Sequence, residues 1–176
     1  MTYTTSPVKH RHRKRPTHHL PEAAMQLLTS PRVVADGRLL APGWVLMDET
    51  VREYGEGQPP ARAHEAATAV RTLDTGVLAP GLVDIQINGA FGADFAAADD
   101  DGWAAVARSL TTTGTTAFLP TLITAPVEDL AAALRGYRDR RGGLAGVAGA
   151  ARSLGVHLEG PFLAESRRGA HRADLL

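Results

Sequence analysis

A chain of 176 residues without cysteine has neither disulfides nor thiolate metal sites, and its formal net charge of zero gives no general reason to expect a nucleic-acid or membrane partner. No apolar stretch approaches the roughly 20 residues that span a bilayer. The basic N-terminus lacks the apolar region of a secretory signal, so we expect a cytoplasmic protein with a core of ordinary size.

Residues 1–24 are basic and have no hydrophobic period. They include KHRHRKR, from Lys9 to Arg15. We expect a disordered tail here. Its functional interpretations are a contact with nucleic acid or another anionic surface, or a weak histidine-rich metal site. The alternative is an extension translated from an upstream start codon, with the domain beginning at Met25.

Residues 25–75 predict a small β unit. RVVADGRLL has apolar pairs on both sides of Asp36-Gly37, a dipeptide typical of a hairpin turn. GWVLMDETV predicts a further strand, and VRTL, residues 70–73, predicts another. Between them, YGEGQPPARAHEA predicts a loop because of its glycine and proline content.

From residue 76 onward, strands and helices alternate. Residues 82–88, 115–124 and 154–162 predict three strands. The first intervening helix begins at Asp99 and Asp100, and its apolar residues recur at helical spacing: Trp103, Val106, Ala107 and Leu110. The second begins at Pro126 and has a similar face: Leu130, Ala133, Leu134 and Tyr137. RRGGLAGVAGAARS, residues 140–153, is compatible with helix or loop.

This alternation requires parallel strands joined by right-handed crossovers. A doubly wound sheet and a (β/α)₈ barrel are both built in this way, and periodicity does not distinguish them. In both, functional side chains collect at the carboxyl ends of the strands.

The predicted strand ends carry several polar side chains. On the first strand Asp84, Gln86 and Asn88 share one face, and on the third His157 and Glu159 do so. Thr121 and Thr124 end the second strand and are weaker signals. The interpretation of His157 as an ordinary core histidine competes with a functional one. A carboxylate such as Glu159 in an apolar setting requires a partner or a metal ion.

The sequence RRGAH, Arg167 to His171, follows the third strand. Its positive charge suits a phosphate or carboxylate, with His171 as a neutral donor or proton shuttle. The competing interpretation is an ordinary basic surface loop.

Three motifs that occur in a fixed order are together specific for one protein family. LAPGLVDIQINGAFGADF, TTTGTTAFLPTLIT and LGVHLEGPF followed by GAH resemble, in order and spacing, the N-acetylglucosamine-6-phosphate deacetylases of the amidohydrolase superfamily. The resemblance covers residues 30–176 and only the first part of that family's chain. It implies an α/β fold: the N-terminal part of a metal-dependent-hydrolase (β/α)₈ TIM barrel, from residues 76–176, with strands of a flanking small β-sandwich from residues 25–75.

The resemblance also implies a site. Glu159 would bind one divalent metal ion, most simply zinc, and His157 would have no metal role. Ala170 and His171 would line the amino-sugar site, with His171 near the N-acetyl carbonyl. Gln86 and Asn88 stand where many superfamily members have two metal-binding histidines, and amides bind zinc poorly, which indicates the single-metal branch.

The implied reaction is metal-assisted hydrolysis of the acetamide of N-acetylglucosamine 6-phosphate to glucosamine 6-phosphate and acetate. The family's two metal-binding histidines and its catalytic aspartate fall beyond residue 176, so we expect no catalytic residue in this chain. The chain alone is expected to be an inactive fragment of a homo-oligomeric enzyme, since a full barrel takes about 250 residues. The alternative is a non-catalytic truncated remnant or an interaction module that uses the basic tail.

Overall fold

The computed structural model describes residues 24–176, which form two compact units that divide between Ala79 and Pro80. The predicted basic tail, residues 1–24, lies outside the described residues except for Ala24. Each unit has its own sheet and its own core. None of the helices in residues 24–176 is long and apolar enough to cross a membrane.

The first unit is built mainly from strands: β1 Gln26–Ser30, β2 Val33–Ala35, β3 Arg38–Leu40, β4 Gly43–Met47, β5 Val51–Glu56, the helix α1 Ala61–Ala66, and β6 Ala69–Thr72. Four of the strands form a sheet in the order β5-β4-β1-β6, in which only β1 and β6 run parallel. The hairpin of β2 and β3 turns at Asp36 and Gly37, both with positive φ, which confirms the predicted turn.

Two predictions for this unit are wrong, and one strand was missed. The single strand predicted over residues 43–51 is β4 followed by a bend at residues 48–50 and the first residue of β5. The loop predicted over residues 54–66 contains the end of β5 and the helix α1. β5 continues because it pairs with β4 through Gly55, which lies against the ring of Trp44. The helix forms after Pro60 and places Ala63 in a core with Leu27 and Trp44. Strand β1, the centre of the sheet, was not predicted at all.

The second unit alternates strands and helices. Its elements are β7 Leu82–Ile87, β8 Gly89–Ala90, β9 Ala93–Asp94, α2 Asp100–Leu110, β10 Thr115–Ile123, α3 Val127–Leu144, β11 Arg152–Ser153 and β12 His157–Glu159. One short 3₁₀ turn lies between α2 and β10, at Thr111–Thr113, and two follow β12, at Glu165–Arg167 and Ala173–Leu175.

The main sheet of this unit is parallel, as the crossovers predict. β10 is central and pairs with β7 on one side and with β11 and β12 on the other. The parallel strands and the helices between them confirm the predicted α/β class. Within residues 24–176 the sheet does not close into a barrel. The third predicted strand is wrong in one respect, because residues 154–162 contain only β12 and β11 precedes them.

Both predicted helices are present. The carboxylate of Asp99 accepts a hydrogen bond from the backbone N–H of Gly102 at 2.9 Å, which caps α2 at its N-terminus. The helix α3 extends to Leu144 and therefore includes the first part of the glycine-rich segment. Residues 145–151 of that segment form a loop, and its last two residues form β11.

The core of the second unit lies between α2, α3 and the central strand. Phe118 is fully buried on β10, and its ring stacks on that of Phe95 with centroids 5.5 Å apart. The buried face of α2 is the predicted one: Trp103, Val106, Ala107 and Leu110. By contrast, apolar side chains remain exposed along β7 (Leu82, Val83 and Ile85) and after β12 (Phe162).

Candidate active site

The carboxyl ends of three parallel strands meet at one end of the second unit. Thr121 of β10 pairs in register with His157 of β12, and Ile123 pairs with Glu159. On the other side of β10, Pro120 lies opposite Ile87 of β7. In sheets of this kind, side chains from different strands converge at this end, where ligands bind.

Glu159 and His171 come together at this end. Nε2 of His171 lies 3.4 Å from Oε1 of Glu159, although the two residues are twelve positions apart. The His171 side chain is 11% exposed and that of Glu159 is 32% exposed. The carboxylate is therefore partly accessible, whereas the imidazole is held inside the unit.

Thr124 completes this cluster. From sequence it is only a weak signal, but the structure places its hydroxyl beside both Glu159 and His171. Its Oγ1 lies 2.8 Å from Nδ1 of His171, and its hydroxyl is also 3.3 Å from the carbonyl oxygen of Glu159. Threonine is common at strand ends, so the sequence indicates a role for Thr124 only through its position after the second predicted strand. The contact with His171 spans 47 residues and emerges only from the fold.

His157 has a different set of contacts. Its Nδ1 lies 3.0 Å from the carbonyl oxygen of Ile85 on β7, so its ring reaches across β10. Nearby, the N–H of Ile87 donates to Oγ1 of Thr121 at 3.0 Å. This side-chain bond occurs where the pairing of β7 and β10 is irregular, next to Pro120, which has no N–H to donate. These contacts tie the three strands together.

The remaining predicted residues lie around this cluster. Gln86 and Asn88 are exposed at the end of β7. Ala170 is exposed immediately before His171. The RRGAH loop is held locally, since Nη1 of Arg168 donates to the carbonyl oxygen of His171 at 2.7 Å.

The cluster offers few donor side chains for a metal ion. Within residues 24–176, no group of three or more histidine, aspartate or glutamate side chains is arranged to hold an ion. A catalytic zinc ion takes about three protein ligands. Glu159, partly exposed beside a histidine, suits one ligand of such a set, but the described residues do not form a complete site.

Comparisons with known proteins identify relatives. No family model matches the chain. The N-acetylglucosamine-6-phosphate deacetylase of Bos taurus is 40% identical over 141 residues, which are 76% of this chain and 34% of the relative. That of Bacillus subtilis is 38% identical over 94 residues, 53% of this chain and 24% of the relative. The chain thus spans about a third or less of the length of these curated relatives.

The solved structures that resemble this chain include enzymes with the same name as the curated relatives. A mutant N-acetyl-D-glucosamine-6-phosphate deacetylase from Mycobacterium smegmatis, in complex with N-acetyl-D-glucosamine-6-phosphate, superimposes with a TM-score of 0.68 at 37% identity, over 86% of this chain and 37% of that one. The N-acetylglucosamine-6-phosphate deacetylase from Thermotoga maritima superimposes with a TM-score of 0.60 at 25% identity, over 85% of this chain and 34% of that one.

The fold of the second unit, with its parallel sheet, is therefore that of the amidohydrolase class of α/β enzymes. Within this class, the chain is homologous to the N-terminal portion of the N-acetylglucosamine-6-phosphate deacetylases. The resemblance seen in the motifs is confirmed.

Proposed function

We propose that this chain supplies the N-terminal part of an enzyme that hydrolyses the acetamide of N-acetylglucosamine 6-phosphate. Water cleaves the C–N bond, and the products are acetate and glucosamine 6-phosphate. The observation on which the proposal depends is the meeting of Glu159 and His171 at 3.4 Å, at the carboxyl ends of a parallel sheet, in a chain 40% identical to a deacetylase.

In this proposal Glu159 is one ligand of a single divalent cation, most simply zinc. Bound to such sites, a divalent cation lowers the pKa of a water molecule and polarises a carbonyl group. The other protein ligands would come from a polypeptide equivalent to the later part of the relatives. Gln86 and Asn88, at the end of β7, favour one ion over two because amides are poor zinc ligands.

His171 and Ala170 would lie beside the substrate. Nε2 of His171 faces the Glu159 carboxylate at 3.4 Å, so a donor at Nε2 could hydrogen-bond the acetyl carbonyl of an amide placed next to Glu159. The catalytic proton transfer would belong to an aspartate on another part of the assembled enzyme. His157 has no role in this scheme because its Nδ1 is engaged with Ile85.

The fold of the complete enzyme is part of the proposal. The strands β7, β10 and β12 would be the first three of a (β/α)₈ barrel, and the first unit would be part of a small β-sandwich. Exposed apolar side chains on β7, among them Val83 and Ile85, support completion of the sheet by further polypeptide. A homo-oligomeric assembly and a cytoplasmic location complete the proposal.

The test is to tag the chain in its own cells, purify whatever accompanies it, and measure acetate release from N-acetylglucosamine 6-phosphate with zinc added. We expect activity, and we expect Glu159→Gln and His171→Asn to reduce it by at least about tenfold. The matched controls are Glu165→Gln, on an exposed 3₁₀ turn, and His64→Asn, at an exposed position of α1 in the first unit.

Activity that survives Glu159→Gln would overturn the assignment of that residue. Recovery of the folded 18.6 kDa chain without a longer form, a companion polypeptide or activity would overturn the proposed function and favour the non-catalytic remnant or interaction module.

A further inference from the structure

Thr124 has a buried hydroxyl whose contacts the proposed reaction does not yet use. The residue directly follows β10 and is 8% exposed. Its Oγ1 lies 2.8 Å from Nδ1 of His171, a distance typical of a well-formed hydrogen bond, and 3.3 Å from the carbonyl oxygen of Glu159, which is longer than most.

The protons of this cluster can be placed from these distances. A neutral imidazole has one N–H, and the nitrogen without it is an acceptor. If Nε2 of His171 were the acceptor, its lone pair would face the Glu159 carboxylate at 3.4 Å, which is repulsive. The proton therefore belongs on Nε2, where it points toward a negative charge. Nδ1 is then the acceptor. The Thr124 hydroxyl has a single proton, and it goes to Nδ1 at 2.8 Å in preference to the carbonyl oxygen of Glu159 at 3.3 Å, because the shorter contact is the better hydrogen bond.

We propose that Thr124 is the positioning residue for His171. By donating to Nδ1, its hydroxyl fixes both the orientation of the ring and the tautomer with hydrogen on Nε2. This is the tautomer that could donate to the acetyl carbonyl of a substrate, so the catalytic part of the inference depends on the proposed function. The contact between the two side chains does not.

The loop that carries His171 makes such an anchor necessary. Residues 164–170 are all exposed, so the approach to His171 has little packing of its own. Arg168 holds the backbone of His171 through its carbonyl oxygen, which does not fix the ring. Thr124, by contrast, is buried directly after the central strand β10 and contacts the ring. Removing one partner of a buried hydrogen bond typically costs the equivalent of about 5–150-fold in an equilibrium constant.

The first experiment is nitrogen-15 NMR of histidine rings in the 176-residue chain, with no substrate or metal added. The pH is about 8, where an ordinary histidine is neutral. Thr124→Val keeps the shape of the side chain and removes the hydroxyl, Thr124→Ser keeps the hydroxyl, and His171→Asn assigns the signals. Circular dichroism checks that each variant is folded.

We expect the wild-type spectrum to show His171 protonated at Nε2, with Nδ1 shifted as a hydrogen-bonded acceptor. Thr124→Ser should preserve this spectrum, and Thr124→Val should move the Nδ1 signal to that of a free acceptor. Protonation at Nδ1 in the neutral wild type, or an unchanged Nδ1 signal in folded Thr124→Val, would overturn the inference. If Thr124→Val does not fold, the wild-type tautomer and the Thr124→Ser spectrum still test whether the Thr124 hydroxyl donates to Nδ1 of His171.

The second readout is activity of the tagged, purified enzyme. Thr124→Val should lower kcat by about 5–150-fold with a smaller change in KM, and Thr124→Ser should keep most of the wild-type kcat. An active enzyme whose kcat is the same in Thr124→Val would refute the catalytic part of the inference. If no deacetylation is found even in the wild type, the proposed function fails, while the NMR result still tests the contact of Thr124 with His171.

Discussion

Gly160 packs directly against the hydroxyl of Thr124. A Cβ atom at position 160 would lie 2.0 Å from Oγ1 of Thr124, and Gly160 has a φ of +92°, which side chains rarely adopt. The backbone that follows Glu159 can pass this close to Thr124 only because residue 160 has no side chain. The approach brings the end of β12 against the residue that follows β10.

Gly160→Ala should therefore destabilise the second unit more than backbone strain alone would. The matched control is Gly92→Ala, since Gly92 has a φ of +84° but open space around the added methyl group. We expect the control to cost about 1–2 kcal/mol from the left-handed backbone. Gly160→Ala should cost about 1–3 kcal/mol more, because of the steric conflict with Thr124. Urea denaturation of both variants measures the difference, and equal values would show that Thr124 moves away without cost.

Two phenylalanines allow the same substitution in opposite environments. Phe118 is 0% exposed in the core of the second unit, and Phe162 is 99% exposed after β12. Phe118→Ala should lower the free energy of unfolding by about 3–5 kcal/mol, because it removes buried surface and leaves a cavity. Phe162→Ala should change it by less than about 0.5 kcal/mol. A large loss in Phe162→Ala would show that this ring is covered in the protein as it exists in solution.

The cap of α2 predicts a smaller effect. Asp99→Ala removes the acceptor of the Gly102 N–H and should cost about 0.5–2 kcal/mol, whereas Asp99→Asn should keep most of the stability. Asp101→Ala, within the first turn of the same helix, serves as the control for loss of negative charge. Thermal unfolding followed by circular dichroism measures all three. Equal losses in Asp99→Ala and Asp101→Ala would contradict the capping role.

The pKa of Asp48 should report the structure of the first unit. The hydrogen bond from Arg52, at 2.7 Å, and that from the N–H of Thr50 lower the pKa of Asp48 from 3.8 to about 2. Because the folded state holds the ionised form, the stabilisation is present above about pH 3.8 and is lost as the pH falls toward 2. The side chain of Arg52 is exposed, so we expect a small effect on stability.

Carbon-13 NMR of the Asp48 carboxyl group measures this directly. The titration midpoint should lie near 2 in the wild type and move back toward 3.8 in Arg52→Ala. Asp36, whose carboxylate accepts a hydrogen bond from Tyr54 in the same unit, provides a second carboxyl signal as an internal reference. An unchanged midpoint for Asp48 in Arg52→Ala would refute the assigned cause.

The second unit could be predicted almost entirely from local signals. The helix α2 has both a capping aspartate and a complete apolar face, and the central strand is a long β-rich run. Each of these elements is specified by residues within its own length, so the fold did not have to be known. The short strands β8, β9 and β11 were missed because each has two residues and is defined only by its pairing, β8 with β9 and β11 with β10.

The first unit was less predictable for the opposite reason. Strand β1 has only five residues, and its position is set by β4 and β6 on its two sides. The helix α1 follows a segment rich in glycine and proline, and the burial of Ala63 against Leu27 stabilises it. Such elements depend on partners far along the chain, which no local pattern contains.

The site divides in the same way. Glu159 and His171 were singled out by their positions at and after the third predicted strand, and the resemblance to a known family then implied their chemical roles, which stay predictions until they are tested. Thr124 was a weak signal, since its significance depends on a histidine 47 residues later. The hydrogen bond of His157 to Ile85 likewise joins residues 72 positions apart, on two strands that both pair with β10.

The two tryptophans of the chain are distributed one to each unit, and both are buried, Trp44 in the first and Trp103 in the second. Intrinsic fluorescence can therefore follow the melting of each half separately once Trp44→Phe or Trp103→Phe has silenced the other emitter. Arg140 lies 5.1 Å from the centre of the Trp103 ring, whereas Gly55 lies against the ring of Trp44, so the two emitters have chemically distinct surroundings. The protein thus contains its own optical reporters of whether its halves unfold together or one after the other.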